Sequence, residues 1–250
     1  MRKVMRYECK RLLWNRFFVG LVLVLLFYGW QVLGGTTILG VAHTAPFSPW
    51  SFGDYLSRMT PLLWVGVLFF LTFFTSPKAR RVASLTDAAP MPPHRYALAR
   101  CAAALTGSAL LALICLAQAA VFYWRYFGWC GWGELLLPAV LTLLPALIFA
   151  LGSGWLLGRW RPWALYVWML VPFVCMVLPL PEVLGVWNGQ FFSQYPLTLQ
   201  GLDPAFSVPL PVVLCQCVLL VVGLVLLGLA GRENKRRRGE GHLHLDLLTD

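Results

Sequence analysis

The sequence predicts an all-α integral membrane protein: an N-terminal interfacial helix, then six transmembrane helices, with both termini cytoplasmic. Three observations lead there. The chain of 250 residues is 59% hydrophobic and only 12% charged, with mean hydropathy +0.71, whereas soluble domains carry about 25% charged residues. Its apolar residues fall in runs near the length of about 20 residues that a bilayer crossing needs. Its basic residues are confined to alternate connections. A core of this size cannot hide so much apolar surface, so lipid is the natural solvent.

The first element, residues 1–16, reads as a helix lying in the membrane interface. Met1, Val4, Met5, Cys9, Leu12 and Leu13 share one stripe, and Arg2, Lys3, Arg6 and Lys10 share the other. Arg6, Lys10 and Trp14 are the expected anchors at the headgroups. Residues 17–230 form the transmembrane domain, with spans at about 17–34, 59–76, 97–124, 135–157, 162–181 and 209–230. Pro145 and Pro172 fall inside the fourth and fifth spans, where each marks a kink and frees a carbonyl that neighbours re-satisfy. The first span reads as retained rather than as a cleaved leader, because its apolar run is long and no A-x-A site follows. Residues 35–58 read as a loop, 182–208 as an outer-leaflet segment, and 231–250 as a basic tail.

Seventeen of the twenty lysines and arginines lie before span one, between spans two and three or four and five, or after span six, and an eighteenth, Arg100, stands at the start of span three on the same side. Only Arg58 and Arg125 fall on the opposite side. The positive-inside rule therefore puts both termini in the cytoplasm. The formal charge of +10 follows from this topology and needs no nucleic acid to explain it.

No catalytic constellation emerges, and the chain is not expected to be an enzyme. His43, His94, His242 and His244 form no metal-spaced motif, and no G-x-x-x-x-G-K-[ST] phosphate loop occurs. The seven cysteines are scattered through apolar runs without a C-x-x-C pair and read as small apolar residues. Gly154-x-x-x-Gly158 reads as close helix packing. Glu134, Glu182 and Asp203 are expected at or beyond the outer boundary, leaving the spans without the charged stations of ion-coupled carriers. Gln31, Gln118 and Gln216 are expected to bond between helices.

Between spans two and three lies TSPKARRVASLTDAAPMPPHR, residues 75–95. Val82, Leu85 and Ala89 stand at helical spacing beside Arg80, Arg81 and Asp87, ahead of Pro90, Pro92 and Pro93. Such a helix, held between two spans, could carry a push from a soluble protein into the membrane.

The whole resembles the permease subunits of ABC-2-type ABC exporters. MRKVMRYECKRLLWNRFF resembles their elbow helix and the start of the first span. RRVASLTDAAPMPPHRYALARCAAAL resembles their coupling helix and the start of the third, with Pro90, Arg95 and Arg100 in place. NGQFFSQYPLTLQGL resembles the outer-leaflet segment before the sixth. The sequence departs from the pattern at Pro77-Lys78-Ala79-Arg80, where members often carry an acidic residue. The resemblance implies a bacterial cell membrane protein with no cofactor of its own. It implies a separate ABC ATPase dimer, carrying ATP and Mg, docked on Arg80, Arg81, Val82, Leu85 and Asp87 of a coupling segment at 77–95. It also implies a second permease chain, identical or related, and export of a hydrophobic, peptide or lipid-like cargo. The reading from another class is a non-transporting membrane scaffold or assembly factor, whose basic segments recruit a different cytoplasmic partner or anionic lipid.

Overall fold

The computed structural model describes residues 2–75, 93–199 and 201–246, with side chains placed for 4–75, 98–199 and 201–229. No strand occurs among the described residues. The helices are α1 (Arg2–Leu13), α2 (Arg16–Gly35), α3 (Pro49–Thr75), α4 (Pro93–Phe127), α5 (Trp132–Trp160), α6 (Ala164–Val177), α7 (Gly185–Asn188), α8 (Gln190–Thr198) and α9 (Leu210–Asp246). Five stretches are long and apolar enough to cross a membrane: Arg16–Leu39, Pro49–Thr75, Leu98–Phe127, Trp132–Trp160 and Leu210–Leu229. The segment expected as the fifth span is the shorter α6. Its 14 residues extend about 21 Å at 1.5 Å per residue, against a hydrocarbon core of about 30 Å.

Local chemistry sets the boundaries. Asn15 separates α1 from α2, its Oδ1 accepting the Phe17 N–H at 3.3 Å, as N-cap residues do. The start of α3 corrects the loop expected over 35–58. The helix begins at Pro49, ten residues before the expected span (59 − 49). Ser48 caps it: its Oγ accepts the Ser51 N–H at 3.3 Å, and its carbonyl accepts the Phe52 N–H at 3.0 Å. Proline in the first helical position lacks only an N–H that would have been unpaired there anyway.

The core is built around α3. Trp50, Tyr55, Leu56, Met59, Trp64, Val67, Leu68 and Leu71 are all fully buried, so this helix is enclosed by its neighbours. By contrast α2 turns Leu23 and Phe27 outward, and α9 turns Val218, Val221 and Val225 outward. A lipid solvent accepts such faces, since lipid tails are as apolar as the side chains themselves.

The helices run alternately between two ends. At one end Phe17 meets Phe69, with ring centroids 5.6 Å apart, and Gly158 lies against Thr75 and Leu165. At the other, Trp30 meets Phe122 at 5.7 Å, Trp129 meets Trp132 at 5.5 Å, and Trp50 lies 5.8 Å from Phe191. The first carries α1 and is called the basic end here; the second is the distal end.

The expected glycine packing is present on α5. A Cβ on Gly154 would strike Leu68 and Leu71 of α3, and one on Gly158 would come within 2.9 Å of Leu165 and Thr75. Gly152, on another face, sits against the backbone of Gly223, so α5 and α9 approach backbone to backbone. Small residues permit that closeness, and dispersion over the shortened distance holds the pair.

Candidate functional site

The described residues contain no group of three or more His, Cys, Asp or Glu side chains placed to hold a metal. Their most informative polar arrangement is a joint at the basic end. Helix α1 lies against α4 as an amphipathic element, with Leu12 and Glu8 buried and Arg6 and Lys10 exposed. Glu8 is only 1% exposed, and its carboxylate faces two guanidinium groups, Arg11 at 3.8 Å and Arg100 at 3.7 Å. Arg100 belongs to α4 and also lies over the Phe74 ring of α3, 5.5 Å from its centroid, within cation–π range.

One arginine thus touches α1, α3 and α4. It does so beside the two ends of the 76–92 connection, since Phe74 immediately precedes Thr75 and Arg100 follows Pro93 by seven residues. A buried carboxylate is costly unless paired, so the sequence invests in this joint. It ties α1 to the bases of α3 and α4.

The expected docking residues Arg80, Arg81, Val82, Leu85 and Asp87 lie outside the described residues. Of the anchoring residues, Arg6 and Lys10 are exposed, and Trp14 is 85% exposed with the Lys10 ammonium 5.7 Å from its ring centroid. Sequence reasoning missed Glu8 and the role of Arg100. A signal existed: Glu8 is the only acidic residue before Asp54, and heptad spacing with Met1, Met5 and Leu12 puts it on the apolar stripe.

The distal end corrects the expectation that the spans hold no buried charge. Asp54, on α3, is 2% exposed and accepts a charge-assisted bond from Arg58 Nε at 2.8 Å. The α7–α8 turn closes over it. Gly189 there has φ +81°, and a Cβ on it would come within 2.7 Å of Asp54 Oδ1 and 2.8 Å of Ser57 Oγ. Glycine is required on both counts. The rest of the 182–208 segment is tied down by Trp50, whose indole donates to the Pro204 carbonyl at 2.8 Å, and by Asp203, which accepts from the Ala45 N–H at 3.3 Å.

Between the ends lies an aromatic cluster from four helices: Trp64, Phe149, Trp168 and Trp187. Trp64 donates to the Trp168 carbonyl at 3.2 Å, and Trp168 donates to Ser153 Oγ at 2.9 Å. Of the glutamines expected to bond between helices, Gln118 does so, donating to the Leu26 carbonyl of α2 at 2.6 Å. Gln216 does not: it is 2% exposed, and neither polar atom of its amide has a partner among the described residues.

Comparison of the chain with models of protein families, with curated proteins and with solved structures finds no match.

Proposed function

We propose that this chain is the membrane-spanning subunit of an ATP-driven exporter of the ABC-2 type, resident in a bacterial cell membrane. On this reading a separate ATPase dimer holds ATP and Mg and grips residues 77–95, with Arg80, Arg81, Val82, Leu85 and Asp87 as contacts. A second permease chain completes the route for a hydrophobic, peptide or lipid-like cargo. The basic end faces the cytoplasm, in keeping with the positive-inside rule. Six crossings result if the Leu178–Pro181 stretch, whose two end residues have extended backbone, completes the path of α6. Four residues add up to about 13 Å to its length of about 21 Å.

The observation that carries the reading is the joint of Glu8, Arg100 and Phe74 beside the 76–92 connection. A force applied to that connection reaches α1, α3 and α4 together through Arg100. A loop whose charges served only to satisfy topology would have no need of a buried carboxylate at its base.

The test is a mild-detergent purification from the native cell, comparing wild type with the Arg80→Glu/Arg81→Glu variant. The expected result is an ATPase that accompanies the wild type and is lost from the variant. Recovery of well-folded wild type without any ATPase, even after crosslinking, would favour a membrane scaffold.

A further inference from the structure

Although α3 is enclosed on almost every side, it keeps one open strip. Its part-exposed positions beyond the first residue are Arg58, Leu62, Val65, Phe69, Thr72 and Phe73. Steps of four, three and four place the first four on a single helical face. Near the basic end α2 borders the strip, where Phe17 meets Phe69. At the distal end the α7–α8 turn borders it, where Gly189 covers Asp54.

Arg58 heads this strip. Seventeen residues separate it from Thr75, about 25 Å along the helix, which sets it near the far boundary of a hydrocarbon core of about 30 Å. At that boundary a long basic side chain reaches the headgroup layer at little cost. Asp54 fixes the guanidinium through Nε, and its own carboxylate is sealed beneath the turn. The two terminal amino groups of Arg58 have no protein partner among the described residues, and its side chain is 42% exposed. A guanidinium offers five donors in a planar fork that matches phosphate oxygens.

Below Arg58 the strip is apolar as far as Phe69. Those eleven residues measure about 16 Å, close to half of the roughly 30 Å core and so to one leaflet. A guanidinium with two uncommitted amino groups at headgroup depth, above an apolar strip about one leaflet long, is complementary to a phospholipid, with the phosphate on the fork and an acyl chain on the strip.

We propose that the open strip of α3 binds one anionic phospholipid from the distal leaflet, its phosphate on Arg58 and an acyl chain along Leu62, Val65 and Phe69. The site does not depend on the transport reading, because a lipid can be held here whether or not the chain moves any cargo.

Native mass spectrometry tests it on the full chain, released from nanodiscs of phosphatidylcholine mixed with an equal amount of phosphatidylglycerol. The expected result is retention of one phosphatidylglycerol per chain in preference to phosphatidylcholine. Retention should weaken at least about tenfold in Arg58→Gln, which removes charge-assisted bonds. It should weaken similarly in Val65→Trp, which fills the strip and leaves the Asp54–Arg58 pair intact. If Arg58→Gln fails to fold, Val65→Trp decides alone. Undiminished retention in a folded variant, or no preference for the anionic lipid, would overturn the assignment. So would efficient disulfide formation between two Val65→Cys chains in the membrane, because a second copy would then cover the strip.

Discussion

The Trp64 indole N–H donates to the carbonyl of Trp168 at 3.2 Å, and that carbonyl lies one turn before Pro172 in α6. Proline at i removes the donor for the carbonyl at i−4. The tryptophan on α3 therefore replaces a bond that α6 cannot make for itself, in a medium without water to make it. Trp64→Phe keeps most of the ring packing and removes the donor, with an expected cost of about 1–3 kcal/mol. Restoring the helix N–H with Pro172→Ala should shrink that cost. A double-mutant cycle of thermal unfolding in detergent checks this, and additive effects would show that the two groups are not coupled.

At the basic end, Glu8→Ala leaves Arg11 and Arg100 without their shared buried carboxylate. A loss of about 1–3 kcal/mol is expected, from the lost ion contacts and the cavity left beneath α1. Removing both sides, as Glu8→Gln with Arg100→Gln, should cost less than the sum of the single changes. Protease sensitivity of the α1–α2 junction gives a local readout, and it should rise in Glu8→Ala.

Glycine substitutions separate packing from propensity. In Gly223→Ala the new Cβ would come within 2.8–2.9 Å of the Ile148–Phe149 backbone, which cannot move aside as a side chain can. A cost of about 1–3 kcal/mol is expected from the overpacking. Gly20→Ala, with nothing within 4 Å, should instead be neutral or stabilise α2 by up to about 1 kcal/mol. Melting temperatures of the two variants should move in opposite directions or differ clearly in size.

A native thiol reports sidedness. Cys130 is exposed in the connection between α4 and α5 at the distal end. A membrane-impermeant maleimide should label it in intact cells, and Cys130→Ser should abolish the signal. Cys217 is also exposed, but it sits within the apolar stretch Leu210–Leu229, which a water-soluble reagent does not reach in a bilayer. Labelling of Cys130 only after permeabilisation would invert the orientation.

Much of the helical plan was legible because long apolar runs and flanking charges are strong signals. The expected span 17–34 lies within one residue of α2 at either end, and the glycines of α5 pack as their spacing suggested. The start of α3 was missed because Pro46, Pro49 and Trp50 looked like loop chemistry, while Ser48-Pro49 in fact encodes a capped helix start. That error moved Asp54 into a loop and hid the pairing of its buried carboxylate with Arg58. Glu8 was overlooked for a different reason. Amid six basic residues it reads as one more solvated charge, and only its position relative to Met5 and Leu12 distinguishes it. Gln216 was assigned a helix partner on residue type alone, and type does not say what faces it across α5 and α9.

The central claim is that something in the cytoplasm grips the connection between α3 and α4, and a photocrosslinking amino acid placed at Leu85 tests it most directly. A second chain carrying the same group at Trp160, exposed at the basic end on α5, serves as the reference. Ultraviolet irradiation of intact cells should join position 85 to a nucleotide-binding ATPase and position 160 weakly or not at all. An adduct at position 85 with a protein that binds no nucleotide, or no adduct from well-expressed chain, would contradict the account.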